Sequence, residues 1–287
     1  MIQRLQNALP LLVLVALAFF LPGGYGSLFF LVFAFGMLFF GCHELFTMLN
    51  LAHGKVFNGL AFICGAGFIL GAMFPAVGLQ YLIDTLLLAL FCTTAFAVVL
   101  HYGPSIQNVH SLLVSLGVFL YFCWSLGFIP KIYFMDSNGH GRLLLLYMIA
   151  ITKLADTGAY VAGTLTAKLP KGNHKLSKII SPKKSWEGLI GGTVTSLAAS
   201  VGCYYWGVNA ISINGQTPFG LADAVIFGII ASLLGLVGDL AESAIKRAAN
   251  VKDSGHIPGI GGVLDTLDSL IPMAPVFYAF LVFRTAL

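Results

Sequence analysis

The sequence predicts an all-α polytopic membrane protein with about nine transmembrane helices, and three observations carry that expectation. Hydrophobic residues make up 58% of the chain and charged residues only 9%. Soluble domains carry about a quarter charged residues, so this chain has too few polar groups to cover a water-facing surface. Apolar runs of about 20 residues, the length that crosses ~30 Å of hydrocarbon as a helix, recur from end to end. These runs are continuous and lack the alternation that a membrane β-strand needs.

In chain order the expected spans are 8–22, 27–46, 56–74, 81–100, 111–129, 142–166, 187–207, 221–245 and 262–284. Arg4 and the run from Leu9 to Leu21 have the outline of a signal peptide. No small-residue cleavage site follows and further apolar segments come at once, so the first span is read as a retained helix. Pro22-Gly23-Gly24 separates it from the second. Gly103-Pro104-Ser105 closes the fourth span, Asp136-Ser137-Asn138-Gly139 precedes the sixth and Asn214-Gly215-Gln216 precedes the eighth, all with residues that turns favour. Cys42, Cys64, Cys92, Cys123 and Cys203 lie in or beside apolar runs without a C-x-x-C pair, and read as small packing residues.

Charge is distributed unevenly. Lys168, Lys171, Lys175, Lys178, Lys183 and Lys184, six of the fifteen basic residues, fall in the loop after the sixth span. Lys246, Arg247 and Lys252 follow the eighth. Two helices separate these loops, so both lie on one side of the membrane, and the positive-inside rule makes that side cytoplasmic. By this count the N-terminus is cytoplasmic and the C-terminus is not. Residues 1–140 read as transmembrane scaffold and 141–287 as the catalytic region. The scaffold's charged residues, Arg4, Glu44, Lys55, Asp84, Lys131 and Asp136, are expected at span ends or in loops, with His43-Glu44 either an interfacial anchor or part of a site.

Five of the eleven acidic residues lie between positions 239 and 268: Asp239, Glu242, Asp253, Asp265 and Asp268. Asp239, Glu242, Ser243 and Lys246 are spaced to share one face of the eighth helix, and Asp265 and Asp268 share one face at the start of the ninth. Between them Lys252-Asp253-Ser254-Gly255-His256 runs on to Gly261-Gly262. A glycine-rich turn at a helix start exposes backbone N–H groups and favours anions. Carboxylates on two helices suit a hard divalent cation, and lysines nearby would neutralise phosphate. Lys153 and Asp156 interrupt the sixth span as a second polar site, at a spacing that equally suits a local salt bridge. Ser181-Pro182-Lys183-Lys184-Ser185-Trp186-Glu187-Gly188, a basic loop ending at a helix start, reads as a third polar site or a positive-inside anchor.

Over residues 150–275 the sequence resembles the phosphatidate cytidylyltransferases (CDP-diacylglycerol synthases). The family signature begins Ser-x-apolar-Lys-Arg and ends in two aspartates three apart. Here it reads Ser243-Ala244-Ile245-Lys246-Arg247, Lys252-Asp253, Gly261-Gly262 and Asp265-x-x-Asp268. Gly238-Asp239-Leu240-x-Glu242, Ala155-Asp156-Thr157-Gly158-Ala159-Tyr160 and the Ser181–Gly188 segment with Gly191-Gly192 match in the same order. The chain departs from the pattern at Ile260, where the family usually has His, and at Thr266, where it usually has Arg.

The resemblance implies transfer of cytidylate from CTP to phosphatidic acid, giving CDP-diacylglycerol and pyrophosphate. It implies Mg²⁺, with room for a second metal ion, on Asp239, Asp265 and Asp268. Lys246, Asp253 and Asp268 are the expected catalytic residues. Asp156, Ser181, Lys183, Lys184, Ser243, Arg247, Lys252, Gly261 and Gly262 are the expected substrate-binding residues. The expected setting is the bacterial inner membrane with the site facing the cytoplasm, a homodimer being open and nucleic acid not a partner. A CTP-dependent enzyme acting on another lipid phosphate or a lipid alcohol, a catalytically impaired relative, and an ion-binding transporter stay open as alternatives.

Overall fold

The computed structural model describes residues 13–21, 24–74, 76–136, 138–170, 172–177, 179–213, 215–255 and 261–286. Ten helices are labelled here: α1 (Gly24–Leu49), α2 (Gly54–Gly71), α3 (Val77–Tyr102), α4 (Ile106–Val118), α5 (Phe128–Tyr133), α6 (His140–Ala167), α7 (Trp186–Trp206), α8 (Leu221–Ala248), α9 (Val263–Leu267) and α10 (Leu270–Ala286). Residues 13–20 are also helical, within the expected first span, whose beginning lies outside the described residues. The β-bridges among the described residues are isolated ones, Lys175 to Ser185 and Ile213 to Gln216. This is an all-α polytopic membrane fold.

Six helices among the described residues are long and apolar enough to cross a membrane: α1, α2, α3, the Ile106–Tyr133 segment, α6 and α8. The expected count of nine differs from this for identifiable reasons. The span expected at 187–207 forms α7, but Thr193, Thr195, Ser196 and Ser200 lower its apolarity. The span expected at 262–284 is broken into α9 and α10, with Asp268 and Ser269 in the turn between them. There the Asp268 carboxylate accepts from the Ser269 amide at 2.6 Å, replacing a helical partner.

The chain divides into two compact units, Met1–Lys131 with Ala249–Thr266, and Ile132–Ala248 with Leu267–Leu287. In the first, Phe30, Phe57, Phe68, Phe91, Phe119 and Phe122 fill the core, and the Phe91 and Phe119 rings stack with centroids 3.9 Å apart. Gly41 lets the Phe122 ring lie against α1, because any Cβ there would collide with it. A π-helical turn, Phe119–Trp124, interrupts the fourth spanning helix, and Ser125 Oγ bonds the Leu120 carbonyl at 3.1 Å. Leu28, Val32, Phe39, Ile63, Leu86 and Leu90 point outward, as lipid-facing residues do.

Two charges depart from the scaffold expectation. Asp84 and Lys131 sit inside the first unit, 8% and 2% exposed, and form an ion pair. Either charge alone would be costly among apolar helices, and each offsets the other's lost hydration.

In the second unit α6 packs closely on α7. Gly158, Gly191 and Gly192 bring the two backbones together, and Ser196 Oγ donates to the Ile151 carbonyl at 3.0 Å. Thr193 Oγ1 reaches Ser232 Oγ of α8 at 3.0 Å. An aromatic group of Tyr147, Phe219, Phe227, Phe277 and Phe280 joins α6, α8 and α10.

Candidate functional site

The last turns of α8 set out Asp239, Glu242, Ser243 and Lys246 on one face, as the helical period requires. Asp268 reaches this face from the turn before α10. Its approach depends on Gly238, where a Cβ would run into the Asp268 carbonyl oxygen. Carboxylate oxygens of Asp239, Glu242 and Asp268 lie within 4.8 Å of one another. Glu242 is 2% exposed and Asp268 8%.

Each carboxylate of this group has a lysine. Lys184 Nζ lies 2.5 Å from Asp239 Oδ2, and Lys246 Nζ lies 2.9 Å from Glu242 Oε2. Lys153 Nζ lies 3.8 Å from Asp268 Oδ1 and 3.6 Å from Asp156 Oδ2, and donates to Ser269 Oγ at 2.7 Å. Ser243 Oγ donates to Asp239 Oδ1 at 3.3 Å. Asp268 stands outside the spanning helices. Burial pushes its carboxyl up to about 6; Lys153 opposes this and Asp239 reinforces it.

The loop that delivers Lys184 is held by its own backbone. Lys175 and Ser185 pair across it, the Leu176 amide donates to the Lys184 carbonyl at 3.0 Å, and the Trp186 amide donates to the His174 carbonyl at 2.9 Å. Ser185 caps α7 by accepting from the Gly188 amide at 3.1 Å. The Ser181 carbonyl accepts from the Lys184 amide at 3.1 Å, and Lys183 is exposed.

In the first unit the Asp265 carboxylate is engaged by its own turn. Its Oδ2 accepts from the Gly262 amide at 2.7 Å, Ser254 Oγ at 2.9 Å and the Ser254 amide at 3.3 Å. Gly261 has φ +90 and faces the same carboxylate. Lys252 and Asp253 are exposed in this unit, as Arg247 is at the end of α8. His256 and Ile260 lie outside the described residues.

The structure thus brings together Asp156, Lys184, Asp239, Ser243, Lys246 and Asp268 of the expected site. Asp239 and Asp268 are joined by Glu242, which was not among the expected metal ligands although its spacing from Asp239 placed it on the same face. Lys153 was read with Asp156 as a second polar site or a local salt bridge, with no partner on another element. The donors are all carboxylate oxygens, two of the three groups are buried, and hard divalent cations prefer this set; the cluster is able to hold a metal ion.

Residues 2–284 match the family described as the Cytidylyltransferase family. A phosphatidate cytidylyltransferase of Haemophilus influenzae is 39% identical over 145 residues, which cover 50% of this chain and 47% of that protein. One of Staphylococcus aureus is 37% identical over 153 residues, covering 52% and 53%. An uncharacterized protein of Escherichia coli is 39% identical over 144 residues, covering 49% and 43%. The chain spans about half the length of the curated relatives it matches. With the family match extending over nearly all of its residues, the chain belongs to the cytidylyltransferase family.

Proposed function

We propose that this chain transfers cytidylate from CTP to phosphatidic acid in phospholipid biosynthesis, forming CDP-diacylglycerol and pyrophosphate. The observation that carries the proposal is the Asp239, Glu242 and Asp268 group with a lysine on each carboxylate, in a chain of this family. Metal sites that serve nucleotides combine carboxylates with substrate phosphates, and the lysines supply the charge that phosphates need. In this reading residues 141–287 are the catalytic region and 1–140 their scaffold. The site faces the cytoplasm at the bacterial inner membrane, where a soluble nucleotide and a membrane lipid can meet.

A phosphate oxygen of the lipid attacks the α-phosphorus of CTP. One P–O bond forms, the bond to the β-phosphate oxygen breaks, and pyrophosphate leaves. The nucleophile is already an anion, so no covalent enzyme intermediate is needed, and the protein positions groups and screens charge. Mg²⁺ on Asp239, Glu242 and Asp268 would neutralise charge on the nucleotide phosphates. Lys184 and Lys246 are placed to turn from carboxylate to phosphate as substrate arrives. Lys153 holds Asp268 and Asp156 in register. Ser243 orients Asp239, and Ser181 shapes the loop that presents Lys183 and Lys184. Asp253 keeps the catalytic role, Lys252, Arg247, Gly261 and Gly262 the substrate-binding roles and Asp265 the metal role that the family signature implies.

The test is formation of CDP-diacylglycerol from labelled CTP and phosphatidic acid by the purified protein, with and without Mg²⁺. Asp239→Asn and Glu242→Gln are each expected to lower kcat about a hundredfold or more. Labelled product with another lipid acceptor and none with phosphatidic acid would overturn the assignment of substrate. Activity that survives both substitutions would overturn the site.

A further inference from the structure

Glu187 lies in the first turn of α7, next to Trp186 and two residues after Ser185, which caps the helix. A carboxylate is favoured there by the unpaired amides of the helix start. This one also reaches across to the basic loop. Its Oε1 and Oε2 accept from the His174 amide at 3.1 and 3.0 Å, and His174 Nδ1 lies 2.6 Å from Oε1. The His174 ring is exposed, so the ion pair by itself contributes little. The bonds to the amide matter more, because they are charge-assisted and they fix backbone rather than a mobile side chain.

His174 is gripped on both of its backbone polar groups. Glu187 takes the N–H, and the His174 carbonyl accepts from the Trp186 amide at 2.9 Å. On one side of it, Asn173 Nδ2 donates to the Gly163 carbonyl of α6 at 2.8 Å. On the other, Lys175 bridges to Ser185, and the Leu176 amide donates to the Lys184 carbonyl at 3.0 Å. Direct hydrogen bonds thus connect the Glu187 carboxylate, through residues 174–176, to the backbone of Lys184. All of these groups belong to the second unit, as does Asp239, whose Oδ2 lies 2.5 Å from Lys184 Nζ.

We propose that Glu187 is a positioning residue: by holding the His174 amide it fixes the paired segment that sets Lys184 on Asp239. The proposal rests on the reading of Asp239 as a metal ligand and Lys184 as a phosphate contact. Glu187 acts through Lys184 and needs no contact with metal or nucleotide. Loss of Glu187 releases Lys184, which uncovers Asp239 for a cation and removes a placed charge from the nucleotide phosphates.

A double-mutant cycle with Lys184→Met, on the full chain in lipid nanodiscs, tests this with two readouts: Mn²⁺ affinity without nucleotide, by electron paramagnetic resonance, and KM for CTP. Glu187→Ala is expected to tighten Mn²⁺ binding and to raise KM about threefold with kcat little changed, the size of one lost hydrogen bond. In the Lys184→Met background the same substitution is expected to move neither. Glu187→Gln keeps one acceptor for the His174 amide and is expected to recover part of both effects; it carries the cycle if the alanine variant does not fold. A Glu187 variant that matches the wild type in both readouts overturns the proposal. So does one whose effects are as large without Lys184 as with it, because Glu187 would then be structural only. Failure of either kind beside a wild type that binds Mn²⁺ and makes product leaves the functional reading standing. A wild type that binds Mn²⁺ but makes no product overturns the functional reading, and the Mn²⁺ arm of the cycle then decides the positioning role. A wild type that binds no Mn²⁺ overturns the metal-site reading, and the positioning role with it.

Discussion

Asp268 combines burial with the neighbourhood of two other carboxylates, and its carboxyl is pushed up to about 6 from an ordinary 3.8. In the metal-free chain the folded state therefore holds this proton more tightly than the unfolded state does. The contribution to stability is present at acidic pH and is lost as pH rises from about 3.8 through about 6. A divalent cation needs the ionised form and reverses the balance. Mn²⁺ affinity is expected to fall by up to about tenfold per pH unit below the titration of Asp268. Thermal unfolding with and without Mn²⁺ checks the same point: the cation is expected to stabilise more strongly well above that pH than well below it. Gly238 belongs to the same account, since the close approach of the Asp268 carbonyl leaves no room for a side chain there.

At the scale of elements, the basic loop between α6 and α7 is more than an orientation signal. Its backbone bridge places Lys184 on Asp239, so an ammonium group already occupies the carboxylate that a metal would use. Lys184→Met is expected to strengthen binding of Mn²⁺ alone, because Asp239 is uncovered. In the proposed reaction the same change is expected to raise KM for CTP about tenfold, because Lys184 would no longer supply a charge-assisted phosphate contact. Metal titration without nucleotide, set beside steady-state kinetics, separates the two effects. The face carrying Asp239, Glu242, Ser243 and Lys246 was legible in the sequence from the 3.6-residue period alone. The pairing of Lys153 with Asp268 was not, because the two are 115 residues apart and on different elements. The glycines of α6 and α7 belong to this scale too. They bring the backbones of those helices close, and α6 carries Lys153 and Asp156.

For the whole molecule, stability in lipid rests on two units with separate cores, and the first contains a buried charge pair. Asp84→Leu leaves Lys131 charged among apolar helices and is expected to cost about 3–5 kcal/mol. The double substitution Asp84→Leu with Lys131→Leu is expected to recover most of that loss, because no unpaired charge remains. Thermal unfolding in detergent measures both, and a double variant no more stable than the single one would count against the pair as the cause.

By itself the sequence determined that the fold is helical and membrane-spanning, where most spans run, and that polar chemistry gathers in the second half. Hydropathy and helical period are properties of neighbours along the chain, so α2 and α8 lie close to the spans expected at 56–74 and 221–245. Tertiary structure decided which distant groups meet. It broke the last expected span at Asp268, added Glu242 to Asp239 and Asp268, set Lys153 and Lys184 on their carboxylates, and gave Glu44 the amides that open α9 as partners. The reason is physical. Spacing along one helix fixes a face, whereas the meeting of residues far apart in sequence depends on close backbone approach and on which buried charge finds its counter-charge.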